Sequence, residues 1–342
     1  MIVAICGNGY CGSSAVTDLL RENKQISVSP YDIEFTFLYD VDGIDDLRHH
    51  IVERPVRFFS SDAAIKRYMH YINKLNSPKS FLRKVSGDKL NKLTDNYLKI
   101  ITQLEWQGWW HYDILNANFW TRNWNYRFLS KISAVMNKFF HKKIDFAPKT
   151  TMHLSVAPCD FDDITKEYVE ELIKMVNPSD QSIVVLDQPF PVGKKDTYLK
   201  YFKEEVKEID VLRDPRDIYV SAKKIYGTYS SWIPTGTVED FVKYFKLIYG
   251  QKKSDTNDRI YVYFEDLIYR YDETVIKLSE FLGTNIENTK EYFDKDRSVN
   301  NTQLFRKYLD LADDIKYIES SLKEYLFDYT DFDEKKSWSE SF

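Results

Sequence analysis

No run of about 18 or more apolar residues occurs in this chain, which argues against a membrane-spanning helix. Cysteine is scarce: Cys6, Cys11 and Cys159 are the only three. Cys6 and Cys11 flank a glycine turn and the count is odd, so no disulfide framework is expected, and a reducing, cytoplasmic setting fits better. His and Cys never pair at the spacing of a zinc site, so no metal is expected. The opening stretch Met1–Cys6 is too short for the apolar core of a signal peptide and reads as a buried strand. Internal repeats and low-complexity linkers are also lacking.

The 342 residues suffice for one large α/β domain or two ordinary ones. With 43% hydrophobic and 30% charged residues, the composition is that of a soluble globular protein. The net charge of −5 argues against a general nucleic-acid binder. Yet residues 52–149 hold 18 Lys/Arg against 7 Asp/Glu. That excess is either a set of solvated helix faces or a field that attracts an anionic donor or acceptor. Five of the seven tryptophans fall within Trp106–Trp124, beside His111, Tyr112, Asn116 and Asn118. Aromatic faces next to amides suit sugar recognition; core packing of a helical insert is an equal alternative.

Short apolar runs alternate with helical patterns along most of the chain. Strands are expected at Ile2–Cys6, Gln25–Ser29, Ser182–Leu186, Glu208–Leu212 and Arg259–Phe264. Helices are expected at about 161–176, 216–226, 237–251 and 315–326. Residues from about 60 to 145 read as helices at 63–70, 90–104 and 128–140. The expected fold is α/β, a P-loop-type, doubly wound, mostly parallel sheet flanked by helices. One domain is expected over residues 1–330, with a helical insertion at about 55–150 that can bind an acceptor, and a polar tail over 331–342. Loops after each strand should share one edge, where such sheets bind ligands.

Gly7-Asn-Gly9-Tyr10-Cys11-Gly12-Ser13-Ser14 follows the first strand and opens a helix. Glycines let the backbone approach an anion, successive N–H groups and the helix N-terminus face it, and the two serines add hydroxyl donors. The spacing resembles a Walker A loop, but Ser13 stands where that loop has its lysine, so triphosphate chemistry is poorly supported. A second element, Val211-Leu-Arg213-Asp-Pro-Arg-Asp217-Ile-Tyr-Val-Ser221, ends the fourth of these strands. Pro215 suits the first turn of a helix, and an arginine fork at Arg213 can converge with the Ser221 hydroxyl on one phosphate. A capped helix with surface ion pairs would read the same way.

Together the two elements resemble the sulfotransferases that use 3′-phosphoadenosine 5′-phosphosulfate (PAPS). Phe264-Glu-Asp-Leu267 is similar to a later run of that family, and Ser298-Val-Asn-Asn-Thr302 with Asp314-Ile-Lys-Tyr317 resembles its C-terminal segment. Residues 36–180 show no such likeness. The resemblance implies a donor held at Gly9, Tyr10, Cys11, Gly12, Ser13 and Ser14, and a 3′-phosphate on Arg213 and Ser221. It adds Arg297 or Asn301 as residues closing over that phosphate, and makes Glu265 a tie between loops. It implies transfer of a sulfuryl group to a hydroxyl or amine of a carbohydrate or other small acceptor, with no metal.

Two departures stand out. The family carries a basic residue where this chain has Tyr10, and many members carry a histidine base where this chain has Asp187-Gln188. Candidate bases are Glu34, which resembles the glutamate of glycan-modifying members, then Asp187, which ends a buried strand, then His153. Val184-Val-Leu-Asp187 also looks like a Walker B strand, so a phosphotransferase using ATP and Mg²⁺ is the enzymatic alternative, and a degenerate, binding-only homologue is the other.

Overall fold

The structure, a computed structural model, describes residues 1–141, 146, 148–227, 232–250, 254–334, 337 and 338. The seven strands among these residues are β1 (Ile2–Gly7), β2 (Ile26–Val28), β3 (Leu104–Gly108), β4 (Thr150–Leu154), β5 (Ile183–Asp187), β6 (Val206–Leu212) and β7 (Arg259–Tyr263). The principal helices are α1 (Ser13–Arg21), α2 (Arg57–Leu75), α3 (Lys89–Ile101), α4 (Leu129–Phe140), α5 (Phe161–Val176), α6 (Pro215–Val220), α7 (Val238–Tyr249), α8 (Tyr271–Leu282) and α9 (Ala312–Ser321). No helix among the described residues is long and apolar enough to cross a membrane.

The chain divides into two compact units, residues 1–38 with 173–342, and residues 39–172. The first holds a sheet in the order β2-β5-β1-β6-β7, every pair parallel. Val3, Ile5, Val185, Ile209, Val211, Ile260 and Val262 share one buried cluster with Val16, Leu19 and Leu20 of α1 and Leu278, Phe281 and Leu282 of α8. Residues of opposite parity such as Ala4 and Leu186 are buried too, so β1 and β5 read as continuous apolar runs, whereas β6 buries Glu208 and Asp210 on that parity. In register, Ile5 stands opposite both Asp187 and Ile209, and Gly7 opposite Val211. The carboxyl ends of β5, β1 and β6 therefore lie side by side, with the turn after β1 between the other two.

The second unit extends further each way than the 55–150 stretch expected, and it is not wholly helical. Leu104–Gly108 pairs antiparallel with Thr150–Leu154. The helix expected to run to residue 104 stops at Ile101, because Leu104-Glu-Trp-Gln-Gly alternates in the strand period and finds a β-branched partner in Thr150-Thr151. The centre of this unit is a buried tyrosine group. The Tyr68 hydroxyl donates to that of Tyr168 at 2.9 Å, and the rings of Tyr97 and Tyr168 stack 4.2 Å apart. The last polar residues, 335–336 and 339–342, lie outside the described set.

Candidate functional site

Between β1 and α1 the chain turns through two left-handed residues, Tyr10 (φ 62°) and Gly12 (φ 84°). A side chain at Gly12 would also meet the Phe264 ring, its Cβ falling 2.6 Å from Cδ2. Gly7 is equally confined, since a Cβ there would lie 2.1 Å from the Cys11 sulfur. Cys11 thus points inward, its thiol pushed up to about 11 by burial, and only its backbone faces the turn. α1 starts at Ser13 with Gly12 as its cap and no side chain capping it, and the Ala15 N–H donates to the Gly12 carbonyl at 3.0 Å. Ser14 is exposed and Ser13 half-buried.

Three side chains that the sequence did not single out shape this turn. Gln188, itself left-handed (φ 50°), accepts from the Gly7 N–H at 3.1 Å and donates to the Ser13 hydroxyl at 3.4 Å. Tyr226 stacks on the Tyr10 ring at 4.4 Å, and Trp232 stacks with the same ring at 5.6 Å. Trp232 also covers Gly9, where a Cβ would fall 1.7 Å from Cη2 of the indole. Gln188 had a legible position, one residue beyond a buried strand; the two aromatics had no local signal.

Arg213 ends β6 and is nearly buried. Its Nη1 donates to the Tyr10 carbonyl at 2.8 Å and its Nη2 to the Asn301 carbonyl at 2.5 Å. The guanidinium also lies over the Phe264 ring, 5.3 Å from its centre. Its Nε is buried without a hydrogen-bond partner, and so is the hydroxyl of Ser221. Ser221 begins a π-helical turn that continues α6, its carbonyl accepting from the Tyr226 N–H at 3.0 Å. The two residues of this element thus both reach Tyr10, one directly and one through Tyr226.

The rest of the Arg-Asp-Pro-Arg-Asp run is scaffold. Pro215 occupies the first turn of α6, and the Asp214 side chain caps it by accepting from the Arg216 N–H at 2.8 Å. Arg216 clasps Asp214 and reaches Glu319 at 2.8 Å. Asp217 accepts from the Gln303 N–H at 2.8 Å, and Asp214 from that of Phe327 at 3.1 Å. Glu265 accepts from the Asp214 N–H at 3.0 Å, joining the turns after β7 and β6. Arg297, by contrast, is exposed on the short helix Lys295–Ser298.

On the other side of β1, Asp187 ends β5. A parallel bridge sets Glu34 beside it, with the Phe35 N–H donating to the Asp187 carbonyl at 2.7 Å. Burial, then the charges of Glu34 and Asp32, push the Asp187 carboxyl up to about 7. Its Oδ1 is buried without a partner, and the residue lines a cavity of about 30 Å³ with Thr17, Arg21, Ser29 and Asp32. Glu34 itself is exposed. A larger cavity of about 300 Å³ lies against Asn8, Lys194, Leu212, Tyr249, Tyr261 and Tyr325.

His153 belongs to the other unit. It sits on β4, its N–H donating to Asp62 at 2.9 Å and its ring 3.4 Å from Glu105, and burial holds it below the ordinary histidine range. The tryptophan-rich stretch is divided: Trp110 is packed on Phe59 and donates to Asp62 at 2.7 Å, whereas Trp120 and Trp124 face outward. One grouping was not visible in residue spacing: Cys6, Glu208 and Asp210 come together, fully buried, across β1 and β6. Arg259 pairs with Glu208 there, and burial with the two carboxylates pushes the Cys6 thiol well up, so the charge is met by a guanidinium and the thiol stays protonated.

No protein-family model matches the chain, and no curated protein does. Among solved structures, the sulfotransferase domain of the Synechococcus olefin synthase aligns over 84% of this chain and 73% of its own, at 12% identity and a TM-score of 0.35. A sulfotransferase of Mycobacterium avium aligns over 99% of this chain and 78% of its own, at 11% identity and a TM-score of 0.31.

Proposed function

We propose that this chain is a sulfotransferase that takes a sulfuryl group from PAPS and passes it to a hydroxyl or amine of a carbohydrate or other small acceptor. One observation carries the reading: the arginine fork of Arg213 bonds directly to the turn Gly7–Ser14. In this reading the two elements expected to bind anions make one site, a view supported by the bond between them. The orphaned Arg213 Nε and Ser221 hydroxyl fit a phosphate that completes their bonding, since buried polar atoms without partners are costly.

Bound PAPS would supply an activated sulfuryl group with a bisphosphate leaving group. In this reading the first-turn N–H groups of α1, with Ser13 and Ser14, hold the 5′ end, and Arg213 and Ser221 hold the 3′-phosphate. Tyr10 stacks with both Tyr226 and Trp232. It serves to shape the turn, and Lys194, exposed on the rim of the larger cavity beside Asn8, is the candidate for the cation that the family carries at the Tyr10 position. Asp187 is the base: a carboxyl near 7 can accept an acceptor proton at neutral pH, and exposed Glu34 raises it by its charge.

Calorimetry with 3′,5′-bisphosphoadenosine against ATP plus Mg²⁺ tests this. Binding of the bisphosphate that is unaffected by a chelator supports it. Binding of ATP only with Mg²⁺ replaces it with phosphotransfer at the same turn. Bisphosphate binding without PAPS turnover on a broad acceptor panel marks a binding-only protein.

A further inference from the structure

The helix formed by the π-helical stretch Thr121–Phe128 and α4 carries a row of large apolar residues on its open side. Tyr126 and Ser133 face inward and are buried. Outward stand Trp120, Trp124, Phe128, Val135 and Phe139, and the most exposed, Trp120 and Phe139, have 78% and 79% of their surface open. Trp120, Trp124 and Phe128 are four residues apart, as are Val135 and Phe139, and Lys131 stands three after Phe128 and four before Val135, so they form a single stripe. The stripe runs about 30 Å at a rise of ~1.5 Å per residue. Trp124 and Phe128 stack on one another at 4.6 Å, outside the fold.

The stretch of chain that bears the stripe carries charge of one sign. Residues 114–144 contain six Lys/Arg and no Asp or Glu. Arg127, Lys131 and Lys138 are exposed on the helix that bears the stripe. A second copy of the chain is a poor match, because a two-fold contact would press this basic surface onto itself. Tryptophan and phenylalanine flanked by Lys and Arg, with no acidic residue, suit the boundary of an anionic bilayer, where rings enter the headgroup layer and cations meet lipid phosphates.

We infer that this helix is a docking element that lies in the plane of an anionic membrane surface. It would bring the protein to an acceptor or partner held there, without spanning the bilayer. Its occupancy is independent of what the turn after β1 binds.

The test is sedimentation of the full-length chain with phosphatidylglycerol–phosphatidylcholine vesicles and with phosphatidylcholine vesicles. The anionic vesicles should carry the protein down and the neutral ones should not. Lys131→Glu with Lys138→Glu should weaken partitioning by about fivefold or more for each cation removed. Trp124→Glu with Phe139→Glu should abolish it; both sites are exposed, and unchanged thermal melting and bisphosphate affinity would show that the fold stands. Absence of binding to anionic vesicles, or equal binding by the variants, overturns the proposal. So does a dimer in ultracentrifugation that Trp124→Glu with Phe139→Glu splits, which would give the face to a second copy. Retention on polyglutamate but not on vesicles would give it to an acidic protein.

Discussion

Arg213 donates from Nη1 to the carbonyl of Tyr10 at 2.8 Å, so the residue that carries the sulfotransferase likeness holds the residue that departs from it. The same fork holds Asn301, and through these bonds one guanidinium fixes the shape of the first turn and the seat of the C-terminal segment.

Arg213→Ala should therefore weaken binding of 3′,5′-bisphosphoadenosine by about 2–3 kcal/mol, the scale of charge-assisted bonds, and lower thermal stability as well. Arg213→Lys should recover little of either, because a point charge cannot bond Tyr10 and Asn301 in one plane. Calorimetry and melting curves check both, and unchanged affinity in an intact fold would remove Arg213 from the site.

Asp187→Asn should lower kcat/KM by about 100-fold or more, the usual contribution of a positioned base. In the proposed reaction the parent protein should gain activity as pH rises through about 7, where the Asp187 carboxyl ionises. Glu34→Gln should move that limb to lower pH, since removing a neighbouring negative charge eases ionisation. A limb that stays put in Glu34→Gln would show that another group is being titrated.

The same carboxyl sets a stability trend. Between the ordinary aspartate value of 3.8 and the raised one of about 7, the folded chain keeps a proton that the unfolded chain has released. Native stability contributed by this group therefore falls as pH climbs through that window. Asp187→Asn should melt above the parent at roughly pH 8 and level with it at roughly pH 4.

Gly12→Ala should cost about 1–3 kcal/mol in urea unfolding, because φ is left-handed and the added methyl meets Phe264. Phe264→Leu in the same chain should return only the steric part of that loss.

The central strands of the parallel sheet were legible because both faces are buried, which writes β1 and β5 as nearly unbroken apolar runs such as Ile183-Val-Val-Leu186. The strands β3 and β4 were not, since Leu104-Glu-Trp-Gln-Gly directly follows a helical pattern and finds its partner some 40 residues later. The glycine turn and Arg213 could be read from local spacing, and the structure joins them. Gln188, Tyr226 and Trp232 act on the turn from far along the chain, a relation carried by topology alone. The structure also reweighs the carboxylates: Glu34 stood first by likeness, whereas burial singles out Asp187. The tryptophan-rich stretch offered sugar binding or core packing, and the structure divides it: Trp110 packs on Phe59, whereas Trp120 and Trp124 are exposed.

β1 lies at the middle of the sheet, yet its two neighbours are residues 183–187 and 206–212. During synthesis, at roughly 5–20 residues per second, this oily first segment must wait about 10–40 s for both partners to be made. The glycine turn it carries can take no settled form before then. A nascent chain stalled short of Val206 would present an unsatisfied hydrophobic edge, and such a species is a natural client for a holding chaperone.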